Sequence, residues 1–277
     1  MKSIFKAIPG LGLGLFLAAL LLPVPASAQA DRPEAPTAPA VEPPLPTEAG
    51  REAEVERIIF DLVNGERESR GLPLLARDED LARLAFGHSQ DMLERNFMDH
   101  INPDGLSPSD RIGRGHRKLI GATGENVWEG TGYGDLSVGE LARLIHKSWM
   151  GSPGHRKNIL KPKYTHLGIG VIRRGEKVKA TQKFSETWGY LAEGLPRKIK
   201  SGSMVNLNLA TPKKPAMIDL WVEKKGVGLG KLEIPENGMV LITAPPGEYQ
   251  MRFYFLKSSV GNRRSYIIVD GPMIIVE

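Results

Sequence analysis

A helical repeat that gives way to alternation predicts an α+β domain followed by a small all-β, sandwich-like domain. Apolar residues recur every three or four positions over 55–63, 81–92 and 141–149, alternate with polar ones from His166 to Trp188, and alternate almost throughout after Leu195. These are the periods at which a helix and a strand keep their apolar side chains on one face. The chain has 277 residues, 41% of them hydrophobic and 25% charged. That is a globular composition, long enough for one large domain or two ordinary ones.

The first 28 residues read differently. Lys2 and Lys6 precede an apolar run from Leu11 to Leu22 and then the small residues Ala26 and Ala28, the order of a secretory signal cut near Ala28 or Ala30. A dozen apolar residues are too few to cross a hydrocarbon layer of ~30 Å, so cleavage leaves no stable membrane span. The chain contains no cysteine, so its stability must come from packing without disulfides. Removing residues 1–30 takes away two lysines and no acid, and the formal charge falls from +5 to +3. That excess is too small to argue for nucleic acid as a partner.

From Asp31 to Thr47 the stretch "DRPEAPTAPAVEPPLPT" holds six prolines and almost nothing to bury. It reads as a polyproline spacer within a linker over 29–50, with a reach of up to ~50 Å. A domain over 51–194 follows. Val55, Ile58, Ile59, Leu62 and Val63 share one stripe of a helix ending near Gly71, and Leu81, Leu84, Ala85, His88 and Met92 share another, over about Asp78 to Asn96. His88 lies in that apolar stripe and reads as a hydrogen-bonded core histidine. Residues 101–135 are rich in Gly, Pro, Asp and Ser and read as loops with a short helix near Ser107 to Gly113. A helix over Ser137 to Met150 comes next, and then "HLGIGVIRR" and "VKATQKFSETW" as antiparallel strands joined at Gly175. Over 195–277, six or seven short strands are separated by "PENG", "PPGE" and "VGN" turns, with "SYIIVD" and "MIIVE" closing the chain. That segment has no histidine, so a binding or spacing role suits it better than a catalytic one.

All six histidines lie between residues 88 and 166. His100 hangs between a helix end and the turn "NPDG", where a rigid scaffold presents binding side chains. In "GATGENVWEG" the polar pair Glu125 and Asn126 sits beside Val127 and Trp128 in a glycine-rich loop, and a carboxylate in apolar surroundings needs a partner. "SPGHRKNIL" reads as a helix start with Ser152 as cap, Pro153 in the first turn and His155 at the third position. The positive helix end there disfavours imidazolium and keeps the ring neutral. His100, Glu125 and His155 together would suffice for a zinc ion with an open position, although their spacing matches no local ligand motif. No Gly-x-Ser-x-Gly elbow, phosphate loop or dinucleotide fingerprint is present.

The order "LVNGERESRGLPLL", "HSQDMLERNFMDHINPDG", "GENVWEG", "WMGSPGHRKNIL", "YTHLGIGV" resembles the CAP superfamily, or SCP domain, of cysteine-rich secretory, venom-allergen and pathogenesis-related proteins, in its cysteine-free bacterial branch. The resemblance covers about Val55 to Trp188. It implies an α-β-α sandwich around a small antiparallel sheet, with a cleft lined by two histidines and two acids. His100 and Glu125 match two of those four. The other acid position holds Ser152, and the histidine of the Gly-His-Tyr-Thr-Gln pattern aligns with Lys179, a cation that would favour an anionic ligand. His155, from the bacterial Ser-Pro-Gly-His-Arg motif, could enter the same cleft.

Three readings follow. One is an exported module, periplasmic or extracellular, binding a cell-wall component, a lipid or an envelope protein. Another is a metal-assisted or acid–base hydrolase of peptide or glycan, with Glu125 as base and Asp99 or Asp104 as a second carboxylate. The third is a purely structural His/Glu network.

Overall fold

The computed structural model describes residues 48–277 except 211–213, 223–225 and 262. The signal segment and most of the linker lie outside the described residues. The first helix, α1 (Glu48–Glu68), begins inside the stretch assigned to the linker and buries Val55, Ile59 and Val63. Asp78 caps α2 (Glu79–Glu94), its carboxylate accepting the Leu81 N–H at 2.9 Å. Capping boxes at Ser107 and Ser137 open α3 (Pro108–Gly115) and α4 (Val138–Gly151). Ser152 and Pro153 do start α5 (Pro153–Ile159), but the Ser152 side chain makes no capping bond. Among the described residues no helix is long and apolar enough to cross a membrane.

Four strands, β1 (Ala76–Arg77), β2 (Leu119–Thr131), β3 (His166–Arg174) and β4 (Lys177–Tyr190), make one sheet in the order β1-β3-β4-β2. β1 runs parallel to β3 and the other pairs are antiparallel. Strand β2 corrects the expectation of loops through 101–135, because the glycine-rich "GATGENVWEG" is a paired strand. Its glycines serve close packing: a β-carbon on Gly121 would strike the Glu186 backbone, and one on Gly124 the Tyr164 side chain.

The sheet separates two helical layers. Val178, Ala180 and Phe184 of β4 join Leu167, Ile169 and Val171 of β3 in a core with α1, α4 and α5. Gly168 and Gly170 of β3 let α2 lie directly on the opposite face, since a β-carbon at either would run into the helix backbone at Ala82 or Phe86. On that face β4 presents Lys179, Thr181, Lys183 and Ser185, all buried. The polar half of the alternation thus packs under α2 instead of meeting water.

Beyond β1 the outer edge of β3 would leave amide groups unpaired, and α1 supplies acceptors. Glu56 accepts the Val171 N–H at 2.9 Å and Glu52 the Arg173 N–H at 2.7 Å. Burial raises the Glu56 carboxyl from 4.5 to about 7, against the lowering effect of the Val171 amide. The folded state therefore holds this proton more tightly than the unfolded chain. Stability should fall as pH rises from about 4.5 to about 7, a contribution of about 3 kcal/mol at most. Denaturant unfolding across that range should lose this slope in Glu56→Gln; an unchanged slope would refute the assignment.

The chain then forms β5 (Lys198–Ile199), β6 (Ser203–Asn206), β7 (Met217–Val222), β8 (Val227–Glu233), β9 (Met239–Ile242), β10 (Gly247–Val260) and β11 (Arg263–Val276). A five-stranded sheet in the order β5-β11-β10-β7-β8 faces the pair β6-β9 across a core containing Ile218, Met251, Phe253 and Val240. "SYIIVD" and "MIIVE", read as separate strands, are one strand, β11, hydrogen-bonded along β10. Ile120 and Leu191 of the preceding region belong to this same core. Arg117 ties the two regions further, donating to the carbonyls of Leu195 at 2.9 Å and Met273 at 2.7 Å.

Candidate functional site

Glu125 stands in the middle of β2, directly opposite Lys183 of β4, with its side chain 1% exposed. Four elements supply what surrounds it. Lys183, fully buried, donates from Nζ to Oε2 at 2.6 Å. Arg111 of α3 donates from Nη2 to Oε2 at 2.8 Å and to Oε1 at 3.1 Å. His100, in the loop after α2, places Nδ1 2.9 Å from Oε1. His88 of α2 brings Nε2 to 3.8 Å from the same oxygen. Arg111 also fixes the loop, donating from Nη1 to the carbonyls of His100 at 2.8 Å and Leu106 at 2.7 Å.

The charges follow from this geometry. Burial alone would raise the Glu125 carboxyl, but Lys183, the His100 hydrogen bond and Arg111 outweigh it and hold the group well below the usual carboxylate range. Burial pushes Lys183 down, against the pull of Glu125. Burial also lowers His88, to about 4, so that ring is neutral near pH 7. The hydrogen bond to Glu125 raises His100. Below the ordinary histidine value His100 therefore stabilises the fold, and that contribution is lost as pH rises through its own midpoint. In an NMR titration the His100 midpoint should lie above the usual 6.5 and fall in Glu125→Gln; a midpoint indifferent to that change would refute the pairing.

The remaining candidates divide sharply. His155 on α5 is half-buried, and burial, followed by the proximity of His100, lowers it. The two imidazoles are thus near enough to feel each other's charge, and the neutral His155 ring expected from the helix start has burial as its main cause. Asn126 points the other way and is fully buried. Its amide donates to Gln182 Oε1 at 2.9 Å and to the His155 carbonyl at 3.1 Å, while its oxygen accepts from Asn158 at 2.9 Å. It brackets α5 and cannot meet a ligand. Lys179 is bonded to Glu129 and to the Phe97 carbonyl, so it is not the cation at Glu125. Ser152 makes no capping bond, and the Asp104 carboxylate is bridged to Arg95 at 2.8 Å.

A zinc ion does not fit these residues. Both Glu125 oxygens already serve two cations, and Lys183 and Arg111 would repel a third. Among the described residues no group of three His, Asp or Glu side chains is placed to hold a metal ion. Lys183, Arg111 and His88 are the members that sequence reasoning missed or set aside. A signal for Lys183 existed: it lies four residues, two same-face steps, beyond Lys179 in "VKATQK".

The description "Cysteine-rich secretory protein family", or CAP, matches residues 60–184. The chain is 38% identical over 120 residues to the uncharacterized protein YkwD of Bacillus subtilis (strain 168), covering 43% of each chain. It is 38% identical over 133 residues to the uncharacterized membrane protein YlbC of the same strain, covering 48% of this chain and 35% of that one. The chain thus spans less than half the length of either relative. An extracellular protein containing a SCP domain from Bacillus anthracis str. Ames aligns at 35% identity and a TM-score of 0.42, over 50% of this chain and 42% of that one. With its cysteine-free composition, its helix–sheet–helix layers and the His100–Glu125 pair in place, residues 60–184 of this chain make up a CAP domain.

Proposed function

We propose that the protein is an exported binding module, working at the cell envelope or outside the cell, whose ligand cleft is the rim shared by His100 and His155 above Glu125. The observation that carries this is the saturation of Glu125. A carboxylate held ionised by a buried lysine and an arginine, and bonded to His100 as well, has its oxygens committed. It is far too weak a base at neutral pH to remove a proton from water. What the rim offers a ligand is the exposed half of His100, polarised by Glu125, and the neutral ring of His155. Export rests on the signal-like first 28 residues.

The test is a thermal-shift screen of the protein against muropeptides, lipids, zinc, calcium and chelator, repeated with His155→Ala. A muropeptide or lipid that raises the melting temperature of the parent and not of the variant is the expected result. Hydrolysis of any of these ligands that His100→Ala abolishes would replace binding with catalysis. A shift by zinc that chelator reverses and His155→Ala removes would overturn the charge argument.

A further inference from the structure

Strands β10 and β11 outrun the sheet they belong to. β7 pairs with β10 no further than Tyr254, which stands opposite Met217, and β5 meets β11 only at the other end, at Ile275 and Val276. Past Tyr254 the two strands pair with each other alone, from Phe255 opposite Ile267 out to Val260 opposite Arg263. At about 3.4 Å per residue this ribbon runs about 17 Å from the buried Phe255 to Val260. No strand among the described residues borders it on either side.

Exposed apolar side chains and cations share this ribbon. Val260 at its tip is 77% exposed, Leu256 53% and Ile268 51%. Phe253, Phe255 and Val269 face the core, so the alternation puts Leu256, Tyr266, Ile268 and Arg264 together on the outer face. Lys257, Arg263 and Arg264 are exposed, and none of them is in an ion pair among the described residues. The acids lie further back: Asp219 and Asp270 stand opposite Arg252, and Glu233 opposite Met217. Between Glu248 and Asp270 the sequence has no acid at all.

The two kinds of side chain together select the partner. A soluble polyanion would answer the cations and leave Val260, Leu256 and Ile268 in water. A second copy of the chain would set these cations against their like. An anionic bilayer supplies phosphates for the cations and hydrocarbon for the apolar side chains, and tyrosine, here Tyr266, suits the boundary between them. We propose that the ribbon attaches the protein to an anionic lipid surface, lying along it outer face down with Val260 deepest and with Lys257, Arg263 and Arg264 on lipid phosphates. In that pose the open strand edges stay among headgroups and water, where their backbone groups remain hydrogen-bonded. Neither His100 nor His155 takes part, so this surface stands or falls apart from the cleft proposed above.

The test uses the chain from Asp31 onward, which keeps every described residue and omits the apolar run from Leu11 to Leu22. It should sediment with vesicles of phosphatidylglycerol and phosphatidylcholine in equal parts, and bind vesicles of phosphatidylcholine alone about tenfold less or weaker. A cation near such a surface is worth about fivefold in affinity, so Arg263→Gln with Arg264→Gln should weaken binding to the mixed vesicles about 25-fold. Val260→Asp should also weaken it, without lowering the melting temperature, because that side chain is exposed. The chain has no cysteine, so Val260→Cys takes a single polarity-sensitive dye, whose emission should shift to the blue on mixed vesicles and not on soluble polyphosphate. No binding to the mixed vesicles at low salt would overturn the proposal, as would binding that survives both the arginine pair and Val260→Asp. Binding to polyphosphate as tight as to vesicles, with the dye unshifted on vesicles, would make the partner an anionic polymer and overturn the lipid surface. Loss of vesicle binding in His155→Ala would move the lipid to the cleft and overturn the ribbon.

Discussion

Glu125→Ala should lower the unfolding free energy by about 3–5 kcal/mol, the usual result of removing one partner from a buried ion pair. Lys183 would remain fully buried with its carboxylate gone, and Arg111 would lose its acceptor. Lys183→Met should cost less, because Glu125 keeps Arg111 and His100. The double change Glu125→Leu with Lys183→Met should recover much of the loss, since well-packed apolar residues often replace buried ion pairs without penalty. Urea unfolding of the three variants measures all of this. A loss of less than about 1 kcal/mol for Glu125→Ala would show that the cluster is hydrated and only weakly coupled. The size of the effect also bears on function. Lost binding in Glu125→Ala would report a damaged fold, so the rim must be probed at His155.

Arg67→Met should be comparably severe, about 3 kcal/mol or more. Arg67, in the last turn of α1, is fully buried, and among the described residues its acceptors are backbone carbonyls. Its guanidinium donates to the carbonyls of Pro73 at 2.8 Å, Ile159 at 2.8 Å, Lys161 at 3.0 Å and Tyr164 at 3.3 Å. The planar fork satisfies the C-terminal end of α5 and the loop after it at once. Arg67→Lys should not restore the loss, because a single ammonium cannot reproduce that fan of donors. Hydrogen exchange should speed up most in α5, the helix that carries His155. Full rescue by lysine, or exchange no faster in α5 than elsewhere, would contradict this role.

Much of the fold was legible because helical and strand periods are local properties. The stripe at Val55, Ile59 and Val63 and the helix starts near Ser107 and Ser137 needed no long-range information. Strand β2 was misread because glycine marks turns in general, whereas Gly121 and Gly124 are there for close contact with Glu186 and Tyr164. The site was half legible. His100 and Glu125 were visible from the motif order, and His155 from its helix start. Lys179 was taken as the charged neighbour because it aligned with a family pattern, while the strand register places Lys183 opposite Glu125 and Lys179 opposite Glu129.

By itself the sequence determined most of the elements and their order and the absence of disulfides, which depend on composition or on spacing along a few turns, and its resemblance to a family singled out His100 and Glu125, which the structure brings into contact. Only the tertiary structure decided the state of Glu125. Its partners Arg111, His100 and Lys183 lie 14, 25 and 58 residues away in the chain. Whether a carboxylate is a base, a metal ligand or a saturated anion depends on how many cations stand within hydrogen-bond distance in a medium without water. That number is set by strand register and by the packing of α2 and α3 on the sheet, which no local pattern encodes.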